Sequence, residues 1–279
     1  MFNGLVILLL SMLSFTLNAT ESLINYPSVG KNIAYSKVAS LDYSPADEKV
    51  SYGKNTEQYA LLWRSKQPIN KKNSPLVILI HGGCWLSDYD IKHTYALSTG
   101  LAQAGFNVWS LEYRRSGATG GGWPVTFNDI KAGIFASSRF NNNEFELANS
   151  IVIGHSAGGH LALLAGGVID KLKGVIGLAA ITDIEAYAKG ENSCQKVTKD
   201  FMQGMPEDKP TAYKQANPSK QPLHTHTILL QGDIDNIVPP FALSELNRQV
   251  IMVDGVSHFD WIHPGSMAFS VLIQSLNGL

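Results

Sequence analysis

Ser150-Ile151-Val152-Ile153-Gly154-His155-Ser156-Ala157-Gly158-Gly159-His160 is the stretch that decides the fold. Its residues 151–153 form a short apolar run of the kind buried in a sheet. An apolar segment over 157–169 follows and reads as a helix. Between them lies Gly-x-Ser-x-Gly, so Ser156 sits on a strand–turn–helix junction. Glycines suit that junction because neighbouring backbone must pass close to the serine. The helix N-terminus offers free N–H groups and a dipole that favours developing negative charge. An ordinary glycine-rich turn is the plain alternative for the pattern taken alone.

Working outward, strands and helices alternate. Leu76–Ile80 is another continuous apolar run, as expected of a strand covered on both faces. Further strands are expected over 107–112, 150–153, 174–180, 227–230 and 250–253, with helices over 91–104, 127–138, 157–169 and 267–276. Upstream, 34–41 and 58–63 read as two strands joined by a turn at 52–55. This rhythm predicts an α/β fold with a mostly parallel central sheet and helices on both faces. Residues 183–222 break the rhythm and read as a small cap insertion beside the site.

The chain has 279 residues, and 22 Lys and Arg against 23 Asp and Glu give a formal charge of −1. That balance excludes the concentrated basic surface of a nucleic-acid or anionic-membrane binder. Apolar residues at 44% against 16% charged exclude disorder. Two cysteines cannot form a disulfide scaffold or a four-cysteine zinc site. Residues 1–19 carry an apolar run over 5–17 and a small residue at Ala19, the pattern of a cleaved secretory signal, although no Lys or Arg precedes the run. The expectation is a single domain over 20–279, secreted or periplasmic, with no stable membrane association.

Two more clusters follow strands. His81-Gly82-Gly83-Cys84-Trp85 exposes backbone N–H groups, so Gly83 or Cys84 with Ala157 would supply the two donors that an oxyanion needs. His81 is expected to brace this loop rather than act as a base. Farther on, Asp235 lies in Gly232-Asp-Ile-Asp-Asn-Ile-Val-Pro239 and His258 in Gly255-Val-Ser-His-Phe259. A serine needs a base, and the base needs a carboxylate to fix its tautomer. His258 is the expected base, hydrogen-bonded to Ser156, with Asp235 preferred over Asp233 and Asp183 as the acid. His93, His160, His224, His226 and His263 show no metal spacing, and no metal or organic cofactor is expected.

These motifs, in the order oxyanion loop, Ser156, Asp235, His258, resemble the α/β-hydrolases with a His-Gly-Gly-x-Trp loop. That group includes small esterases, acetylxylan/feruloyl-type esterases and kynurenine formamidases. Trp109-Ser-Leu-Glu-Tyr-Arg-Arg115 and the following Gly run to Trp123-Pro124 are similar to a bacterial subset of this group, of hydrolases and peptidase-like proteins. The resemblance implies a Ser156–His258–Asp235 triad acting through an acyl-enzyme, and a small or medium carboxylic ester is the expected substrate. An amide or formamide substrate, a small peptidase-like activity and a non-catalytic binding protein stay open. Trp85 and His155, with Phe201 and Met205 of the cap, are the candidate substrate contacts. Export and the expected position of the cap also suggest a Cys84–Cys194 disulfide.

Overall fold

The computed structural model describes residues 23–67, 75–240 and 243–279, so the leader expected at 1–19 lies outside the described residues. Eight strands form one sheet: β1 (Glu48–Ser51), β2 (Tyr59–Trp63), β3 (Leu76–Ile80), β4 (Asn107–Leu111), β5 (Ser150–His155), β6 (Gly174–Leu178), β7 (Thr227–Gly232) and β8 (Gln249–Val253). Their spatial order is β1-β2-β4-β3-β5-β6-β7-β8. Only β2 runs against its neighbours; every other pair beyond it is parallel. Parallel neighbours require crossovers, which is why helical segments separate most of these strands.

The helices are α1 (Tyr35–Ala39), α2 (Tyr95–Gln103), α3 (Val125–Ser137), α4 (Ala157–Val168), α5 (Ile184–Tyr187), α6 (Ser193–Lys196), α7 (Thr198–Met202), α8 (Pro210–Ala216) and α9 (Met267–Gly278). Side chains alternate across the sheet, as period-2 strands require. Val77, Leu79, Ile151 and Ile153 pack with α1, α2 and α9 on one face. Ile78, Ile80 and Val152 pack with α3, α4 and the insertion on the other. Covered on both sides, β3 and β5 are buried along their whole length. The result is the α/β-hydrolase fold.

One upstream element differs from expectation. Residues 34–41 contain the short helix α1, and the sheet's first strand is β1. As an edge strand, β1 alternates half-buried and exposed positions and needs little apolar content, so it leaves a weak trace in the sequence. The insertion carries α5 to α8. Among the described residues no helix is long and apolar enough to cross a membrane.

Candidate active site

β5 delivers Ser156 to the carboxyl edge of the sheet in a backbone conformation of φ 57° and ψ −121°. That left-handed φ is costly for a non-glycine residue and is held by its surroundings. Ser156 N–H donates to Leu178 O at 2.9 Å, and His160 N–H donates to Ser156 O at 3.1 Å. A Cβ on Gly154 would lie 2.2 Å from Gly158 O, and one on Gly158 would lie 2.2 Å from Ile80 O. Both glycines are therefore obligatory. Ala157 opens α4, so its N–H has no carbonyl partner within that helix.

The loops after β7 and β8 bring Asp235 and His258 together. His258 Nδ1 lies 2.7 Å from Asp235 Oδ2, and both residues are buried. Backbone N–H groups of Ile237 and Val238 donate to Asp235 Oδ1 at 2.8 and 2.9 Å. Asp233 and Asp183 are engaged elsewhere: Asp233 accepts from Gly255 N–H, and Asp183 caps α5. No hydrogen bond joins Ser156 Oγ to His258 among the described residues, although both line one cavity. The expected contact is thus unformed here, and such bonds often tighten only with substrate present. His155 fixes the loop bearing His258, its Nε2–H donating to His258 O at 2.9 Å. Burial first, then the neighbouring His258, pushes His155 well below the usual histidine range, so its ring is neutral.

The loop after β3 is unusual in that Gly83, Cys84 and Trp85 all have positive φ. A Cβ on Gly83 would meet Tyr89 Cβ at 2.4 Å. His81 braces the loop: Nδ1 faces Gly82 O at 2.8 Å and Nε2 faces Glu112 Oε1 at 3.0 Å. Tyr113 stacks on His81, with ring centroids 4.4 Å apart, and donates to its carbonyl. Glu112 also accepts from Tyr113 N–H, Ile91 N–H and Arg115. Burial acts to raise the Glu112 carboxyl, yet His81 and Arg115 outweigh it and hold it at about 2. Glu112, Tyr113 and Arg115 belong to the 109–115 motif, whose role here is to carry the brace.

The cavity at Ser156 has a volume of about 210 Å³. Gly83, Cys84, His155 and His258 line it, as does the insertion through Asn192, Ser193 and Cys194. Three expected substrate contacts do not. Trp85 and Phe201 are fully buried and stack on one another at 4.6 Å, because the positive φ at Trp85 accompanies a ring turned into the core. Met205 belongs to a turn in which its carbonyl accepts from Asp208 and Lys209, away from the lining. Tyr187, Met202 and Tyr213 are likewise core residues. Cys84 and Cys194 are joined in a disulfide, with Cα atoms 5.3 Å apart. The lining also contains Tyr35, Tyr89 and His93, which belong to no motif, and Phe259, the neighbour of His258. Among the described residues no group of three or more His, Cys, Asp or Glu side chains could hold a metal ion.

Comparison with known proteins places this geometry. The family model described as BD-FAE matches residues 65–250, which include Ser156 and Asp235 and stop short of His258. Esterase LipC of Mycobacterium tuberculosis (strain ATCC 25618 / H37Rv) is 35% identical over 120 residues, which is 42% of this chain and 29% of that protein. The chain therefore matches under a third of that relative's length. The crystal structure of esterase B from Lactobacillus rhamnosis (HN001) superposes with a TM-score of 0.71 at 18% identity, covering 87% of this chain and 88% of that one. A truncated carbohydrate esterase from gut microbiota gives 0.69 at 19% identity, covering 85% and 96%. The structural neighbours share the fold, the family match spans most of the chain, and the protein belongs to the BD-FAE family of α/β-hydrolases.

Proposed function

We propose that the protein is a carboxylic ester hydrolase that works through an acyl-enzyme on Ser156. The observation that carries this reading is the 2.7 Å contact between Asp235 and His258, with His258 and Ser156 on one cavity. Asp235 leaves Nδ1 protonated and Nε2 free to take the Ser156 proton. The serine oxygen then attacks the carbonyl carbon, and N–H groups of Ala157 and of Gly83 or Cys84 stabilise the oxyanion. Each such donor is worth about 3 kcal/mol of barrier. His258 protonates the leaving alcohol, and water reverses the sequence to release the acid. No step calls for a metal or an organic cofactor.

Esterase LipC and the esterase neighbours support ester over amide chemistry, and the modest cavity favours a small or medium ester. An extracytoplasmic location is part of the proposal. It is supported by the apolar run over 5–17 and by a disulfide, a bond that persists in oxidising compartments. A fluorophosphonate probe tests the function: it should label Ser156 and stop hydrolysis of 4-nitrophenyl acetate. Ser156→Ala should fold, resist labelling and lose several powers of ten in kcat. Full turnover by a pure Ser156→Ala preparation would sink the proposal.

A further inference from the structure

One imidazole in the cavity plays no part in the reaction proposed above. His93 lies in the 3-10 turn Ile91–Thr94, is 7% exposed and lines the cavity that holds Ser156. Its Nδ1 faces Asp90 O at 2.6 Å. A carbonyl can only accept, so Nδ1 carries the hydrogen and Nε2 of the neutral ring carries a lone pair. No donor among the described residues reaches Nε2. The lone pair is open to the cavity, where a substrate donor can exchange with water on it. Burial, followed by the neighbouring His81, lowers the ring to about 3, so it stays an acceptor across the neutral range.

The turn is also held rigidly. Ile91 N–H donates to Glu112 Oε2 at 3.0 Å, Thr94 Oγ–H donates to Ile91 O at 2.8 Å, and Asp90 caps Lys92 N–H at 3.0 Å. Glu112 thus positions both the His81-braced loop and the turn bearing His93. Tyr35 lies beside the ring, with centroids 6.0 Å apart, and packs edge-on against Tyr89 and at a tilt against Phe259. Tyr35, Tyr89 and Phe259 thus form aromatic walls beside this acceptor.

We propose that His93 Nε2 is a specificity-determining acceptor for a hydroxyl that the substrate carries in addition to its ester group. This inference rests on the ester-hydrolase reading. The hydroxyl can belong to the alcohol or the acyl part, and two isosteric pairs separate the cases. 2-Hydroxyethyl acetate against propyl acetate places it on the alcohol, and propyl glycolate against propyl propanoate places it on the acyl group.

For each pair the ratio of kcat/KM values is measured in the wild type, in His93→Asn and in His93→Gln. Asn keeps a donor for Asp90 O and removes the Nε2 acceptor, whereas Gln keeps an acceptor near that position. In one pair the wild-type preference for the hydroxylated ester should fall about tenfold in His93→Asn and be largely kept in His93→Gln. Comparing proteins on the same ester pair cancels intrinsic reactivity. Should His93→Asn fail to fold, the wild-type ratios are compared with those for hydroxide-catalysed hydrolysis, and a wild-type excess of about tenfold in one pair supports the proposal. Ratios that do not change with the variant, or that match hydroxide in both pairs, overturn it. In that event turnover of 4-nitrophenyl acetate through Ser156 would leave the ester-hydrolase reading standing, whereas no turnover of any ester would remove both.

Discussion

The loop after β7 and the loop after β3 both end at the cavity, but different forces hold them. Asp235 is fixed mainly by its own neighbourhood, through N–H groups two and three residues along the chain and through Gln231. The insertion adds Asn192 Nδ2 and Tyr187 Oη–H, both donating to Ile237 O. The loop at 83–85 has three successive positive φ values and is fastened from far away in the sequence. Cys84 is bonded to Cys194, Trp85 stacks on Phe201, and His81 reaches Glu112. Strained backbone persists only where its surroundings over-determine it. The loop after β7 should therefore tolerate damage to the insertion, whereas the loop at 83–85 should not.

Four experiments break or sharpen that contrast. The largest effect is expected from Asp235→Asn, which keeps an acceptor for the backbone N–H groups and loses control of the His258 tautomer. It should lower kcat by about four powers of ten with little change in melting temperature. A kcat within tenfold of wild type would remove Asp235 as the orienting acid. Next comes Phe201→Ala, which deletes a fully buried ring stacked on Trp85. A loss of about 3–5 kcal/mol in denaturant unfolding is expected, together with slower turnover.

Breaking the disulfide should cost less, about 2–4 kcal/mol for a bridge spanning 110 residues. Cys194→Ser should also reduce kcat, and mild reduction should do the same to the wild type while leaving the variant unchanged. If reduction lowers stability but not kcat, the bridge fastens the insertion without shaping the oxyanion loop.

The smallest effect concerns His160, whose Nε2–H donates to Ala216 O at the end of α8. Burial lowers this ring to about 4, outweighing the opposing pull of the carbonyl. Because the folded value lies below the unfolded value of 6.5, the unfolded chain binds more protons between them. The associated stability is complete above pH 6.5 and is lost as the pH falls toward 4. His160→Gln keeps a donor for Ala216 O and cannot titrate. Its stability should fall less than that of the wild type between pH 7 and 5.5, by about 1 kcal/mol in urea unfolding.

Much of this molecule was legible from local pattern. β3 and β5 appear as unbroken apolar runs because helices cover both faces of the sheet. Gly154 and Gly158 mark a turn where a Cβ would strike backbone. Asp235 outranks Asp233 because it lies farther along its loop, and the structure sets it against His258. By contrast, β1 is a four-residue edge strand, and α1 buries only Val38. Elements that bury so little leave almost no periodicity to read.

The insertion shows the limit most clearly. Its apolar content suggests a pocket lining, but composition cannot tell a core ring from a cavity-lining one, and Phe201 went to the core. His93 and Tyr35 carry no motif, and they join the cavity at Ser156 because α1 packs against the turn before α2. The amino-acid order settled the identity of the sheet, the turn bearing Ser156 and the sequence of polar groups along its edge. Those features arise from interactions within a few residues and from hydrophobic periodicity. Which side chains line the cavity was decided by tertiary packing, because that depends on contacts between distant segments such as Trp85 with Phe201 and Tyr35 with Phe259.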